Sequence, residues 1–193
     1  VANTDISQSD NVVGGDQAGR DINKPTVINY GLDSSGVTQI AKLIEKFRIE
    51  RAGDQLFQQT VEKLEHYSAQ PVDVQFLSLE EKLDRGGCAG QLRFAKETKE
   101  LFTKKLVQFQ YFESAQKIHA FLLAEIYSRF HRFVSPLIAE GAPTTVINHV
   151  VQEDVLAPIL ALLGDNDLEI YSDEINGMLY FLTGNCHIFW HKC

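Results

Sequence analysis

From Ser34 onward the apolar residues fall at helical spacing. Val37, Ile40, Ala41, Ile44 and Phe47 recur three and four apart, with Lys42, Glu45, Lys46 and Arg48 between them. That pattern predicts a helix capped by Asp33, Ser34 or Ser35 and broken at Gly53-Asp54. Leu56, Phe57, Val61 and Leu64 make the next stripe, which Gln70-Pro71 stops because the residue before proline disfavours helical dihedrals. Phe76 to Asp84 is a short helix or helical turn ended by Arg85-Gly86-Gly87. No Gly or Pro occurs from Gln91 to Ser135, and one helix over that stretch would be about 65 Å long. Its stripe changes phase, from Leu92, Ala95, Phe102, Leu106 and Phe109 to Ala115, Ile118, Leu122, Ile126 and Phe133. A break is therefore expected between Gln110 and Glu113. Lys99 occupies one slot of the first seam.

Pro136 and Gly141-Ala142-Pro143 separate the last third. Thr144 or Thr145 caps a short helix through Val151. Val155, Leu156, Ile159, Leu160 and Leu163 give a second, with Pro158 in its first turn. After the Gly164–Asp167 loop, Ser172-Asp173-Glu174 starts a last helix with its acids placed for the dipole. That helix carries Ile175, Met178, Leu179 and Leu182 and stops at Gly184-Asn185. The expected fold is mainly α, a helical bundle with long central helices.

The first 31 residues break the pattern. Val13-Gly14-Gly15-Asp16-Gln17 is followed at once by Ala18-Gly19-Arg20-Asp21-Ile22, a repeat of period five with Gly and Asp in fixed places. Thr26-Val27-Ile28-Asn29-Tyr30 then has β propensity. Two repeats cannot bury a core alone. The segment is either a disordered leader, an element completed by β pairing with other chains, or a strap on its own helical body. Two units are thus expected: a Gly/Asp-rich β-prone leader over 1–31 and an all-helical partner-binding domain over 32–193. Intermolecular β structure would make the chain a homo-oligomer, with Val12, Val13, Ile22, Val27, Ile28 and Tyr30 as assembly contacts.

Composition narrows the function. The chain has 193 residues, 44% of them hydrophobic and 23% charged, which are globular values. Its net charge of -8 argues against a general nucleic-acid binder. Lys96, Lys99, Lys104 and Lys105 are interleaved with Glu97 and Glu100 and make no phosphate track. No apolar run approaches the ~20 residues of a membrane span, and residues 1–30 lack the apolar core of a signal peptide. Three cysteines suit a reducing cytoplasm better than a disulfide framework. The negative charge is uneven: residues 136–193 hold eight acids against Lys192 alone. Asp165, Asp167, Glu169, Asp173 and Glu174 therefore form a candidate docking face for a basic partner.

Catalytic motifs are scarce. Gly14 to Gly19 lacks the Lys-Ser/Thr of a phosphate loop, and Arg20-Asp21 follow instead. Asp165-Asn166-Asp167 opens like a calcium loop, but Ile170 and Asn176 stand where Gly and Glu are needed. Asp73 with Glu80-Glu81-Lys82 loosely resembles a nuclease set, but the second part lies on a helix and reads as a solvated face. Cys186, His187, His191 and Cys193 crowd eight residues and are the metal candidates. They lack a second separated ligand pair, and Cys186-His187 lacks a third group to orient a nucleophile. A non-enzymatic module without cofactor is the leading expectation. A Cys/His metal-dependent effector enzyme centred on the C-terminus is the alternative.

The stretch from Asn176 to Trp190, NGMLYFLTGNCHIFW, resembles the closing motif of a C-terminal domain of prokaryotic ABC-three-component conflict and defence systems. The leader from Asn11 to Asn23 is similar to the Gly/Asp-rich segment that precedes such domains. The resemblance covers residues 10–190. It implies a role in coupling an effector to an ABC-type ATPase and a small middle component. Only about nine residues stand before the leader, so the resemblance implies a stand-alone member or an excised domain.

Overall fold

The computed structural model describes residues 34–53, 57, 59–72 and 76–191. Among them lie nine α-helices: α1 Ser34–Ala52, α2 Glu62–Ser68, α3 Leu79–Arg85, α4 Leu92–Gln108, α5 Glu113–Arg129, α6 Ser135–Glu140, α7 Thr144–Val150, α8 Ala157–Leu163 and α9 Ser172–Gly184. No strand occurs among the described residues. The mainly helical expectation holds there, and the leader with its six assembly residues lies outside them.

The core is built around α4, α5 and α9. Phe102 of α4 takes Phe181 of α9 edge-on at 5.3 Å and His119 of α5 at 5.7 Å. Helices α4 and α9 meet most closely at Gly177, where an added β-carbon would strike the Thr98 carbonyl and the Phe102 Cβ. Helix α1 packs on α5 through Ile40 and Phe47, both fully buried.

The expected break between α4 and α5 falls at Phe109–Phe112, and tertiary contacts explain it. Phe47 inserts between the two aromatic rings, 5.3 Å from Phe109 and 5.4 Å from Phe112, both edge-on. Glu50 of α1 then accepts from the Ser114 backbone at 3.0 Å and its hydroxyl at 2.5 Å, satisfying a donor of the first turn of α5. The stripe from Leu56 was expected to be helical, but the helix starts only at Glu62. The Phe57 amide donates to the Tyr111 carbonyl and the Val61 amide to Gln116 Oε1, so the backbone there is spent on the turn before α5 and on its first turn. Likewise α3 starts at Leu79 rather than Phe76, fixed by a capping box between Ser78 and Glu81.

Pro158 lies in the first turn of α8 as expected, but neither it nor Pro136 separates its helix from the turn before it. Residues 113–140 and 144–163 are each continuously helical, and each contains a π-helical turn, Phe130–Val134 and Val151–Leu156. Pro136 and Pro158 follow these turns closely. A proline removes one donor and crowds the carbonyl four residues back; a widened turn relieves the crowding. For Pro158 that carbonyl belongs to Asp154, and Arg129 Nη1 donates to it at 3.0 Å. The two π turns pack on each other, so the bundle supplies what the proline removed. Gly141 ends the first long helix at φ 77°, in the left-handed region that glycine tolerates.

The helix Thr144–Leu163 is long and apolar enough to cross a membrane, with a mean hydropathy of 1.4 over its best window. Counting uninterrupted apolar runs missed it. Its Ile147, Val151, Val155, Ile159 and Leu163 are buried in the bundle.

His119 lies in the centre of the core, and its Nε2 has no hydrogen-bond partner. Burial, with a smaller push from Lys105, lowers its pKa to about 3. The unfolded chain therefore takes up this proton first as the pH falls. The stabilisation is complete above pH 6.5 and is lost progressively towards pH 3. Chemical denaturation should show His119→Leu gaining roughly 2–4 kcal/mol on wild type between pH 7 and pH 4. Equal pH slopes for the two proteins would contradict the assignment.

Candidate functional site

The C-terminal motif is a knot tied around the end of α9. Cys186 has φ 62°, the left-handed conformation that usually requires Gly or Asn. The His187 amide returns to the Leu182 carbonyl at 2.9 Å and the Cys186 amide to Thr183 at 3.2 Å, closing a Schellman turn. The last carbonyls of the helix are also served from α3. Lys82, fully buried, donates from Nζ to Thr183 O at 2.5 Å and Gly184 O at 3.3 Å, with Cys186 Sγ at 3.0 Å. The Phe189 ring centroid lies 5.5 Å from the same ammonium. A cation is favoured here because the end of a helix carries partial negative charge.

The other residues of the motif bind the rest of the body. Asn185 Nδ2 donates to Tyr67 O at 3.1 Å, and His187 Nε2 donates to Ala69 O at 3.0 Å, clasping the end of α2. Burial pushes the His187 imidazole down. His131 Nε2 donates to the His187 carbonyl at 3.3 Å, which leaves its Nδ1 to accept from Ser135 Oγ at 3.2 Å. Trp190 Nε1 donates to Thr183 Oγ1 at 3.1 Å, and its ring stacks near Tyr180 and meets Phe130 edge-on. Gly86 leaves the space that Trp190 fills, since a β-carbon there would sit 2.5 Å from the Trp190 Cβ.

Beside the knot lies a groove of ≈ 290 Å³ between the start of α4, the α7 helix with its π turn, and α9. Its lining contains no charged residue. Gln91, Asn148, Gln152 and Asn176 contribute four carboxamides, and Phe94 stands half-exposed at the rim. Gln91 Oε1 accepts from the Tyr180 hydroxyl at 2.9 Å. Burial and nearby Cys88 push the Tyr180 pKa up to about 12, so the phenol stays a donor.

Residues 78–190 match the family described as C-terminal domain 9 of the ABC-three component (ABC-3C) systems. The chain belongs to this family. No curated protein and no solved structure matches the chain significantly. The segment shared with the ABC-three-component domain opens at Ser78, the cap of α3, and closes at Trp190. Lys82, the knot and every residue lining the groove fall inside it.

The three described Cys and His candidates of this ABC-three-component domain do not converge. Cys186 turns to Lys82 and His187 to Ala69. The His191 ring lies edge-on to Phe189 at 5.7 Å, and its imidazole is held down by burial and by Arg85 and Lys82. Cys193 lies outside the described residues, among which no group of three or more His, Cys, Asp or Glu side chains could hold a metal. The acidic candidates are spread over several internal roles. Asp167 pairs closely with Arg48, Glu169 bonds Lys105 at 3.1 Å, and Glu174 accepts from the Tyr171 amide at 3.0 Å. Asp165 and Asp173 are exposed.

Sequence reasoning placed Lys82 on a solvated face, and the structure corrects this: it is fully buried. The signal was present, because Lys82 sits three residues after Leu79 and one before Leu83, on the apolar side of α3. Asn166 was also missed. It is buried and bonds Gly164 O, Ile170 O and the Ile170 amide, bracing the loop before α9. Replacing Lys82 by Met keeps the volume but takes the ammonium donor from the Gly184 carbonyl and leaves the Thr183 carbonyl with the Cys186 amide alone. Urea denaturation should show Lys82→Met less stable by about 2–4 kcal/mol. A loss under ~0.5 kcal/mol would mean the cap is not held by this ammonium.

Proposed function

We propose that the chain is the partner-coupling module of an ABC-three-component system and works by protein contact rather than by chemistry of its own. The observation that carries this is the uncharged groove whose lining lies wholly within the family segment. A carboxamide offers a donor and an acceptor in the same plane as a peptide group does. Four of them around an apolar floor suit an extended, uncharged segment of a partner protein, with Phe94 as the exposed aromatic contact. The Cys and His side chains of the motif support the same reading, since Cys186 and His187 are occupied in holding the helix end.

The ABC-type ATPase and the middle component of the same system are the partners to test. Co-purification with the full chain should be retained by wild type and fall about tenfold for Phe94→Ala combined with Gln152→Ala, a loss of ~1.4 kcal/mol. Unchanged retention by a folded double variant would remove the groove from the interface. Loss of retention by wild type itself would remove the coupling function.

We also propose that the segment 1–31 assembles copies of the chain, through Val12, Val13, Ile22, Val27, Ile28 and Tyr30. Light scattering should give an oligomer for the full chain and a single protomer once residues 1–31 are deleted. An unchanged mass after deletion would defeat this assignment.

A further inference from the structure

The pair Lys82 and Cys186 sets a sulfur that can be oxidised against an amine nitrogen. Nζ and Sγ lie 3.0 Å apart, and both residues are almost completely shielded, 0% and 2% exposed. The cover is thin, because Gly184 and Phe189 beside them are half-buried. Hydrogen peroxide is little larger than water, and Gly184 and Phe189 put solvent beside the pair.

We propose that Lys82 and Cys186 are a modification site, where peroxide joins Sγ to Nζ as a sulfenamide. In the first step the thiol sulfur takes an oxygen from hydrogen peroxide. Cys–SH and H2O2 give Cys–SOH and water, with sulfur oxidised by two electrons and the peroxide reduced. In the second step the lysine nitrogen, having released a proton, attacks that sulfur. The S–N bond forms, the S–O bond breaks, and hydroxide leaves with a proton as water. The ammonium and Cys–SOH thus yield Cys–S–NH–Lys, water and one proton.

The competing nitrogens are committed. A sulfenic acid commonly closes onto a neighbouring backbone amide. Here the amides of Cys186, His187 and Ile188 all donate to carbonyls, to Thr183 for the first and to Leu182 for the other two. The left-handed backbone at Cys186 aims the side chain at α3 instead. Cys88 is the internal control. It is equally buried, its Sγ meets only the Gly86 carbonyl at 3.5 Å, and burial pushes its thiol up. The link would join α3 to the closing motif and so tie together the two ends of the family segment.

The full chain treated with hydrogen peroxide, alkylated and digested with trypsin without reductant provides the test. Mass spectrometry should find the Lys82 and Cys186 peptides joined, lighter than their sum by two hydrogen atoms. Cleavage after Lys82 should be lost and should return with dithiothreitol. Cys88 should remain alkylated, and Cys186→Asn, which suits the left-handed position, should cleave normally at Lys82. Recovery of Cys186 as free thiol, as sulfinic or sulfonic acid, or joined to any other nitrogen, with Lys82 still cleaved, would overturn the proposal.

Discussion

At Gly177 the backbone of α9 rests on the backbone of α4. A single β-carbon there would collide with the Thr98 carbonyl and the Phe102 side chain, so only hydrogen fits. This brings two helices to the short end of the usual interaxial range, about 8 Å. The following turns of α9 inherit the placement. Phe181 comes onto Phe102, Tyr180 reaches Gln91, and Gly184 arrives against the Lys99 side chain. One wall of the groove and the anchor of the C-terminal knot are therefore set by one missing methyl group. An alanine would force the pair apart at a cost of about 1–3 kcal/mol and would displace both features together.

The knot then poses an electrostatic problem. A lysine buried without partners costs several kcal/mol of desolvation. Lys82 is given two carbonyls, a thiol and an aromatic ring. Hydrogen bonds to a charged group contribute about 1.5–3 kcal/mol each, enough for two carbonyl bonds to offset a penalty of that size. Its neighbour Lys99 lacks such a set, and burial together with the Lys82 charge pushes its ammonium down. The carbonyls belong to the end of α9 and the cation to α3, residues about a hundred positions apart. The end of α9 is thus served from α3, which couples the first helix of the family segment to its last.

Local periodicity made the helical face of α1, the break before α5 and the extent of α9 legible, because each is written within a dozen residues. The π turns were not legible. Pro136 and Pro158 look like helix ends because a chain alone cannot serve the orphaned carbonyl, yet Arg129 serves that of Asp154 from a neighbouring helix. The late start of α2 has the same origin, since Tyr111 and Gln116 compete for the backbone before it. Lys82 was half legible, as a charge in an apolar stripe. The groove had no local signature at all: Gln91, Asn148, Gln152 and Asn176 come from three helical segments and share no spacing. The metal reading rested on crowding in sequence, whereas the turn at Cys186 sends adjacent side chains to different neighbours.

Charge shows how far a linear reading can mislead about partners. Acids are concentrated in the last third of the chain, but folding brings bases to them from elsewhere. Arg48 comes from α1 to Asp167, and Lys105 comes from α4 to Glu169. Two of the eight acids are thereby paired in space. Exposed pairs of this kind contribute at most about 1 kcal/mol each. A basic partner could displace them at little cost, yet would gain little more than it replaced. Charge there governs approach and solubility. Of the groove carboxamides, Gln91 accepts from Tyr180 and Asn176 donates to the Ser172 carbonyl, whereas a peptide that used Asn148 and Gln152 would break no side-chain bond described within the protein. Under the proposed function, free energy of association would concentrate where the chain is neutral, and the net charge of -8 would bear on how partners arrive rather than on where they are held.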